Sequence, residues 1–271
     1  MSFWKMQGSG NDFIIIDNRK PIFPEENRAA LVAKLCRRAT GIGADGLILI
    51  EDDPYADFLW RFYNADGSEA EMCGNGGRCA ARFAFLKRIT SSDMVFTTLA
   101  GPIRARVDGD QVRLEMSRPC DRQRLELDCD GALEKVDFIN TGVPHAVIMV
   151  EDDLDLVDVN ERGAKIRYHQ AFAPAGSNAN FIKVEDESTL SIRTYERGVE
   201  SETLACGTGA VAAALIAHAK GLVVSPTKVI TRSGESLTIY YKKEGETFVE
   251  VFLEGVALIV YRGVIDRDFL E

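Results

Sequence analysis

The sequence is poor in the residues that build metal and disulfide frameworks. It has three histidines and six cysteines, and no two cysteines stand in a Cys-x-x-Cys pair, so the ligand spacing of a structural zinc site is missing. A disulfide scaffold is not expected either, because 271 residues suffice for a core without cross-links. Basic residues are outnumbered, 32 against 42 acidic, for a net charge of −10, the opposite of a nucleic-acid-binding footprint. The longest apolar run, Ala210 to Ala219, contains His218 and falls short of the roughly 20 residues of a bilayer span. The opening Met1-Ser2-Phe3-Trp4-Lys5-Met6 has no secretory h-region. Gly41-Ile42-Gly43-Ala44-Asp45-Gly46 lacks the Lys-Ser/Thr of a phosphate loop and leads into a strand. A cytoplasmic protein without nucleic-acid or membrane partners is expected.

What is present is a soluble composition, 46% hydrophobic and 27% charged, arranged in many short alternating runs. Phe13–Asp17, Leu47–Ile50, Val95–Thr98, Ile103–Val107, Val112–Met116 and Ala146–Val150 read as strands. Asp108-Gly109-Asp110 signals a hairpin. Leu237–Tyr241, Phe248–Leu253 and Val256–Tyr261 give a late meander with Gly245 and Gly255 at its turns. Helices are expected over Glu25–Ala39, Gly74–Lys87, Leu154–Lys165 and Gly207–Ala219. The mixture points to an α+β fold rather than regular βαβ alternation. The helices at 74 and 207 are built from small and apolar residues nearly all round, which places each inside a strongly curved sheet.

The two helix entrances repeat one another. Tyr63-Asn64-Ala65-Asp66-Gly67-Ser68 leads through acidic residues to Cys73-Gly74-Asn75-Gly76; Tyr195-Glu196-Arg197-Gly198 leads the same way to Cys206-Gly207-Thr208-Gly209. Half a chain separates them, as two homologous domains in pseudo-symmetry would require. A helix N-terminus offers unpaired N–H groups and a positive dipole end, which bind carboxylates and lower a thiol's pKa. Two such thiols suit inversion at a carbon α to a carboxylate. One removes the α-proton from one face, the other delivers a proton to the opposite face, and N–H donors hold the developing charge. No metal or cofactor motif accompanies them. Taken singly, Asn11 and Asn178 also fit turn residues, and His145 also fits a buried core histidine.

The sequence resembles the diaminopimelate epimerase family. The resemblance is carried by Gly8-Ser9-Gly10-Asn11-Asp12-Phe13, Tyr63-Asn64-Ala65-Asp66-Gly67-Ser68, Met72-Cys73-Gly74-Asn75-Gly76-Gly77-Arg78, Pro144-His145, Tyr195-Glu196-Arg197-Gly198 and Ala205-Cys206-Gly207-Thr208-Gly209. It implies interconversion of LL- and meso-diaminopimelate, without a cofactor, in lysine and peptidoglycan precursor biosynthesis, by a homodimeric enzyme. The implied fold is two pseudo-symmetric domains, 1–118 rejoined by 263–271 and 119–262. Each is a strand-rich barrel around a buried helix, with the active site in the cleft between them. By motif, Cys73 and Cys206 become the acid/base pair, and Gly74, Asn75, Gly207 and Thr208 give backbone donors to the reacting carboxylate. Asn11 and Glu196 fall near the reacting amine; Asn64, Asn178 and Arg197 face the distal amino acid group; His145 and Glu196 tune the thiols. Two positions depart from the family pattern: Val143 replaces an amide, and Gly46 follows Asp45 where a glutamine is usual. Proline racemase and hydroxyproline epimerase are the nearest alternatives, although Tyr195-Glu196-Arg197-Gly198 fits them poorly. A double-bond isomerase of the same fold would lack one or both thiols, and an amino-acid-binding module would need neither.

Overall fold

The computed structural model describes residues 1–270. They fall into two units, one of Met1–Leu114 with the residues from Gly255 onward, the other Glu115–Glu254. The first opens with an antiparallel pair, β1 (Ser2–Gly8) and β2 (Asn11–Asp17). Helix α1 (Arg28–Cys36) crosses over so that β3 (Gly46–Glu51) runs parallel to β2. Strand β4 (Phe58–Asn64) returns antiparallel to β3 and carries the short β5 (Glu69–Ala70). After α2 (Gly74–Leu86), β6 (Asp93–Thr98) lies parallel to β4, and β7 (Gly101–Asp108) and β8 (Gln111–Glu115) complete a meander.

The second unit repeats these pairings in the same order. Strand β9 (Cys120–Cys129) flanks β10 (Ala132–Asn140), which pairs antiparallel with β11 (Pro144–Met149). Helix α3 (Val159–Arg167) crosses to β12 (Asn178–Asp186), parallel to β11, and β13 (Thr189–Glu196) returns with its short partner β14 (Ser201–Thr203). Then come α4 (Gly207–Ala219), β15 (Thr227–Ile230) parallel to β13, β16 (Ser236–Glu244) and β17 (Thr247–Val256). Strand β18 (Leu258–Val264) flanks β1 as β9 flanks β10, and α5 (Arg267–Leu270) follows. This is the two-repeat, strand-rich α+β fold that the sequence led us to expect.

Each unit has an inner and an outer core separated by its sheet. Phe13, Ile15, Ile48 and Ile50 face α2, while Ile14, Ile16, Leu47 and Leu49 face α1. In the second unit Val147 and Ile182 face α4, and Ala146, Ile148 and Phe181 pack with Val159 and Ile166 of α3. A parallel pair covered on both faces reads as a continuous apolar run, which is why Phe13–Asp17 and Leu47–Ile50 stood out. Helix α4 packs against β10, β11, β12, β13, β15 and β16, and every residue from Gly209 to Ala217 is buried. Fully burying each larger aliphatic side chain contributes about 1.5–3 kcal/mol.

Three local expectations are corrected. Helix α1 is shorter than Glu25–Ala39 because Asn27 takes a left-handed conformation (φ 55) and Arg37 turns extended. The stretch 154–165 is not one helix. A short 3-10 turn, Leu154–Leu156, precedes α3, and Asp158 caps α3 by accepting the N–H of Glu161. Gly255 lies within β17 rather than at a turn; the break is Ala257, whose N–H donates to Asp110 O. The chain accordingly rejoins the first unit from Gly255, before residue 263, because β18 pairs with β1 from Leu258 to Val264, with one irregularity at Val260.

Candidate active site

Cys73 is the N-cap of α2, in extended conformation (φ −145, ψ 117). Its Sγ accepts the N–H of Gly76 at 3.5 Å, and its thiol lies 3.5 Å from Asn11 Oδ1. An ionised carboxylate can only accept, so Asp45 Oδ2 takes the Asn11 amide N–H at 2.7 Å and turns Oδ1 towards the sulfur. Arg38 bridges Asp45 and Asp12, and Lys5 pairs with Asp12 at 2.7 Å. Burial opposes ionisation of Asp12, but hydrogen bonds from Arg38 and Lys5 outweigh it and hold the carboxyl at about 2. A Cβ on Gly74 would meet nothing within 4 Å, leaving open space over the first N–H groups of the helix, where Asn75 follows. Arg78, fully buried, donates to Ser9 Oγ at 2.8 Å and to Val256 O, tying α2 to the β1–β2 turn and to the returning chain. Asn64 ends β4, exposed, with its amide donating to Ser68 Oγ at 3.0 Å. Gly46 has no room for a side chain, since its Cβ would stand 2.6 Å from Tyr63 O and 2.5 Å from the Phe62 ring.

Cys206 is the corresponding N-cap of α4 (φ −125, ψ 110), buried, with Sγ 3.6 Å from Thr208 Oγ1. Burial, and then the neighbouring Glu196 carboxylate, push this thiol up to about 12, against hydrogen bonds from Thr208 and the Gly209 N–H. The expectation that a helix entrance lowers the thiol's pKa is therefore overturned here. The surroundings of α4 take away more thiolate solvation than the helix end restores. Burial also raises the Glu196 carboxyl. Asn178 brackets two segments, donating to Pro144 O at 3.0 Å and accepting the Arg197 N–H at 2.8 Å. The Arg197 guanidinium donates to Ala175 O at 3.2 Å. His145 is fully buried, its Nδ1 3.1 Å from Asn180 Nδ2. Burial above all, then the charge of Arg197, lower its pKa to about 3, so the ring is neutral. The Thr208 carbonyl accepts from Thr141 Oγ1 at 3.0 Å, fixing the first turn of α4 after Gly207.

The structure thus gathers Asn11, Gly74 and Asn75 around Cys73, and Glu196, Gly207 and Thr208 around Cys206, while Asn178 pairs in register with His145 and holds the Arg197 backbone. Sequence reasoning passed over Asp45, Asn180 and Thr194 as site residues. The signal available was Asn178-x-Asn180, two amides on one face of a strand whose first half is otherwise apolar. Among the described residues, no group of three or more His, Cys, Asp or Glu side chains could hold a metal ion, and no helix is long and apolar enough to cross a membrane.

A strand-rich unit used twice, each copy with one buried central helix, defines a two-repeat fold class. A Bacillus anthracis protein of the phenazine biosynthesis PhzF family shares it, with a TM-score of 0.72 at 15% identity over 98% of this chain and 99% of that one. So does a probable proline racemase from Agrobacterium radiobacter K84, with a TM-score of 0.70 at 14% identity over 98% and 93%. Within that class the match is narrower. The family model described as diaminopimelate epimerase matches residues 3–119 and 138–260. The diaminopimelate epimerase of Aquifex aeolicus (strain VF5) is 49% identical over 282 residues, covering 100% of both chains. The chain belongs to the diaminopimelate epimerase family, a family of isomerases.

Proposed function

We propose that the protein interconverts LL- and meso-diaminopimelate with Cys73 and Cys206 as alternating base and acid. The observation that carries this reading is the matched pair of cysteine N-caps on two buried helices of 13 residues each. In one direction Cys73, as thiolate, takes the α-proton. The C–H electron pair moves into the carboxylate as an enolate, which the first-turn N–H groups of Gly74, Asn75, Gly207 and Thr208 stabilise. The proton of the Cys206 thiol then reaches the opposite face of the carbon. Turnover leaves the proton on Cys73 and a thiolate at Cys206, and the reverse reaction resets them. A thiol kept protonated by burial suits the donor role, and no electrons are exchanged with a cofactor.

Asn11 and Glu196 are read as partners of the reacting amine, and Arg197, Asn64 and Asn178 as those of the distal amino acid group. The product would serve lysine and peptidoglycan precursor synthesis. A homodimer belongs to the same proposal and is supported by exposed Val260, Tyr261 and Val264 on β18; sedimentation velocity tests it. Incubation of LL-diaminopimelate with the protein in deuterated water tests the activity. Formation of the meso isomer with α-deuterium supports the assignment, and proline inverted in its place overturns it.

A further inference from the structure

Behind Cys206 lies a buried polar cluster that the reaction above does not use. His145, Asn180 and Thr194 are 0%, 0% and 3% exposed, and they occupy neighbouring strands β11, β12 and β13. Register places Asn180 beside Val147 and opposite Thr194. A Cβ on Gly209, in the first turn of α4, would stand 2.5 Å from Asn180 Oδ1 and 3.3 Å from Cys206 Sγ, so the cluster sits directly under the helix entrance.

Hydrogen bonding fixes each atom. The Ala146 carbonyl can only accept, so the Asn180 amide atom 3.0 Å away is Nδ2, a donor. Asn180 Oδ1 then faces Thr194, whose hydroxyl donates to it at 3.0 Å. The remaining Nδ2 hydrogen points at His145 Nδ1, 3.1 Å away. Facing a donor, Nδ1 must present its lone pair, which leaves the proton of the neutral ring on Nε2. His145 Nε2 is itself buried with no hydrogen-bond partner among the described residues. A buried donor of this kind calls for an acceptor, and the nearby charge of Arg197 favours an anionic one.

The fold does not require this cluster. In the first unit the same register positions hold Phe13, Ile48 and Phe62. The rings of Phe13 and Phe62 pack edge to face at 5.9 Å. Under the Cys73 helix entrance, Gly76 rests on Ile48 and Phe13, where Gly209 rests on Asn180. Apolar packing serves one copy of the repeat, so polar residues in the other point to a task beyond support.

We propose that Asn180 and Thr194 are positioning residues that lock His145 in its neutral Nε2–H tautomer, making it a hydrogen-bond donor to a carboxylate of the substrate and not the proton acceptor for Cys206. This deepens the epimerase reading and rests on it. The experiment is long-range ¹H–¹⁵N NMR of histidine-labelled protein, in which only three imidazoles appear and His145→Gln assigns the signal. The expected result is a protonated Nε2 and an unprotonated Nδ1, constant from pH 5 to 8. Adding diaminopimelate to the Cys73→Ala variant should shift the Nε2 resonance. A protonated Nδ1, an imidazolium in that range, or an Nε2 signal unmoved by saturating ligand would overturn the inference. In Asn180→Asp the carboxylate accepts instead, so the proton should move to Nδ1, a new ionisation should enter the pH profile of kcat/KM, and kcat/KM should drop about 10²-fold. Unchanged tautomer and pH profile in that variant would also count against it. The resting-state spectrum needs no turnover, so an inactive protein would sink the epimerase reading alone. An active one with protonated Nδ1 would sink this inference alone.

Discussion

Asp45 Oδ2 accepts the Asn11 amide N–H at 2.7 Å, and Asn11 Oδ1 in turn stands 3.5 Å from Cys73 Sγ. The carboxylate therefore decides which end of the amide meets the sulfur. Asp45→Ala should let Asn11 rotate and lower kcat by about 10- to 10²-fold. The ion pair with Arg38 is largely exposed (63% and 42%) and contributes about 0–1 kcal/mol. The melting temperature should consequently stay close to wild type; unchanged kcat in a folded variant contradicts the assignment.

Asp12 gives a pH signature of the same cluster. Its folded pKa lies below the ordinary 3.8, at about 2, so it stabilises the native state above pH 4. That contribution is lost as pH falls from about 4 to 2. Calorimetry over this window should show a steeper loss for wild type than for Asp12→Asn; parallel curves would remove Asp12 from the account.

Loss of either Cys73 or Cys206 leaves one face of the carbon without a proton carrier. Cys73→Ala and Cys206→Ala should each reduce epimerisation by about 10³-fold or more. Cys120 is exposed, and Cys120→Ser should retain full activity. Chiral separation of LL- and meso-diaminopimelate decides between these outcomes.

Glu196 contributes to the high pKa of the Cys206 thiol. Glu196→Gln removes that negative charge, so the Cys206 thiolate should form at lower pH. Ultraviolet absorbance of the thiolate, followed in a Cys73→Ser background, should report a midpoint shifted downwards; an unmoved midpoint leaves burial as the sole cause.

The Arg197 backbone is pinned by Asn178, which sets where its guanidinium leaves the turn. A guanidinium can hold a carboxylate through two parallel bonds, which an ammonium cannot. Arg197→Lys should lose most activity on diaminopimelate. Lysine and proline should be inverted at least about 10⁴-fold more slowly than diaminopimelate. Comparable inversion of all three would refute distal recognition by Arg197.

The helix entrances could be read from sequence because their constraint is local: Cys-Gly-x-Gly and the small residues behind it lie within a few turns. The parallel pairs could be read because burial on both faces leaves an unbroken apolar run. Strands β9 and β10 offered no such run, since most of β9 faces solvent. Asn180 and Thr194, the partners of His145, escaped notice for a different reason. The Asn178-x-Asn180 spacing hints at a polar face, but the meeting of Asn180 with Thr194 and His145 depends on strand register, which no local pattern encodes. Gly255 misled because glycine suggests a turn, whereas the chain bends at Ala257.

The discontinuity of the first unit sets an order of completion during synthesis. The second unit is one stretch, Glu115–Glu254, and all of it has been made before β18 exists. Strand β1 must wait for that last strand, since Ser2 pairs with Val264 and Trp4 with Arg262. Domains fold as their residues leave the ribosome, so the unit begun first is finished last. Until then the outer edge of β1 stays bare, an interval in which a nascent chain is open to strand pairing with its neighbours.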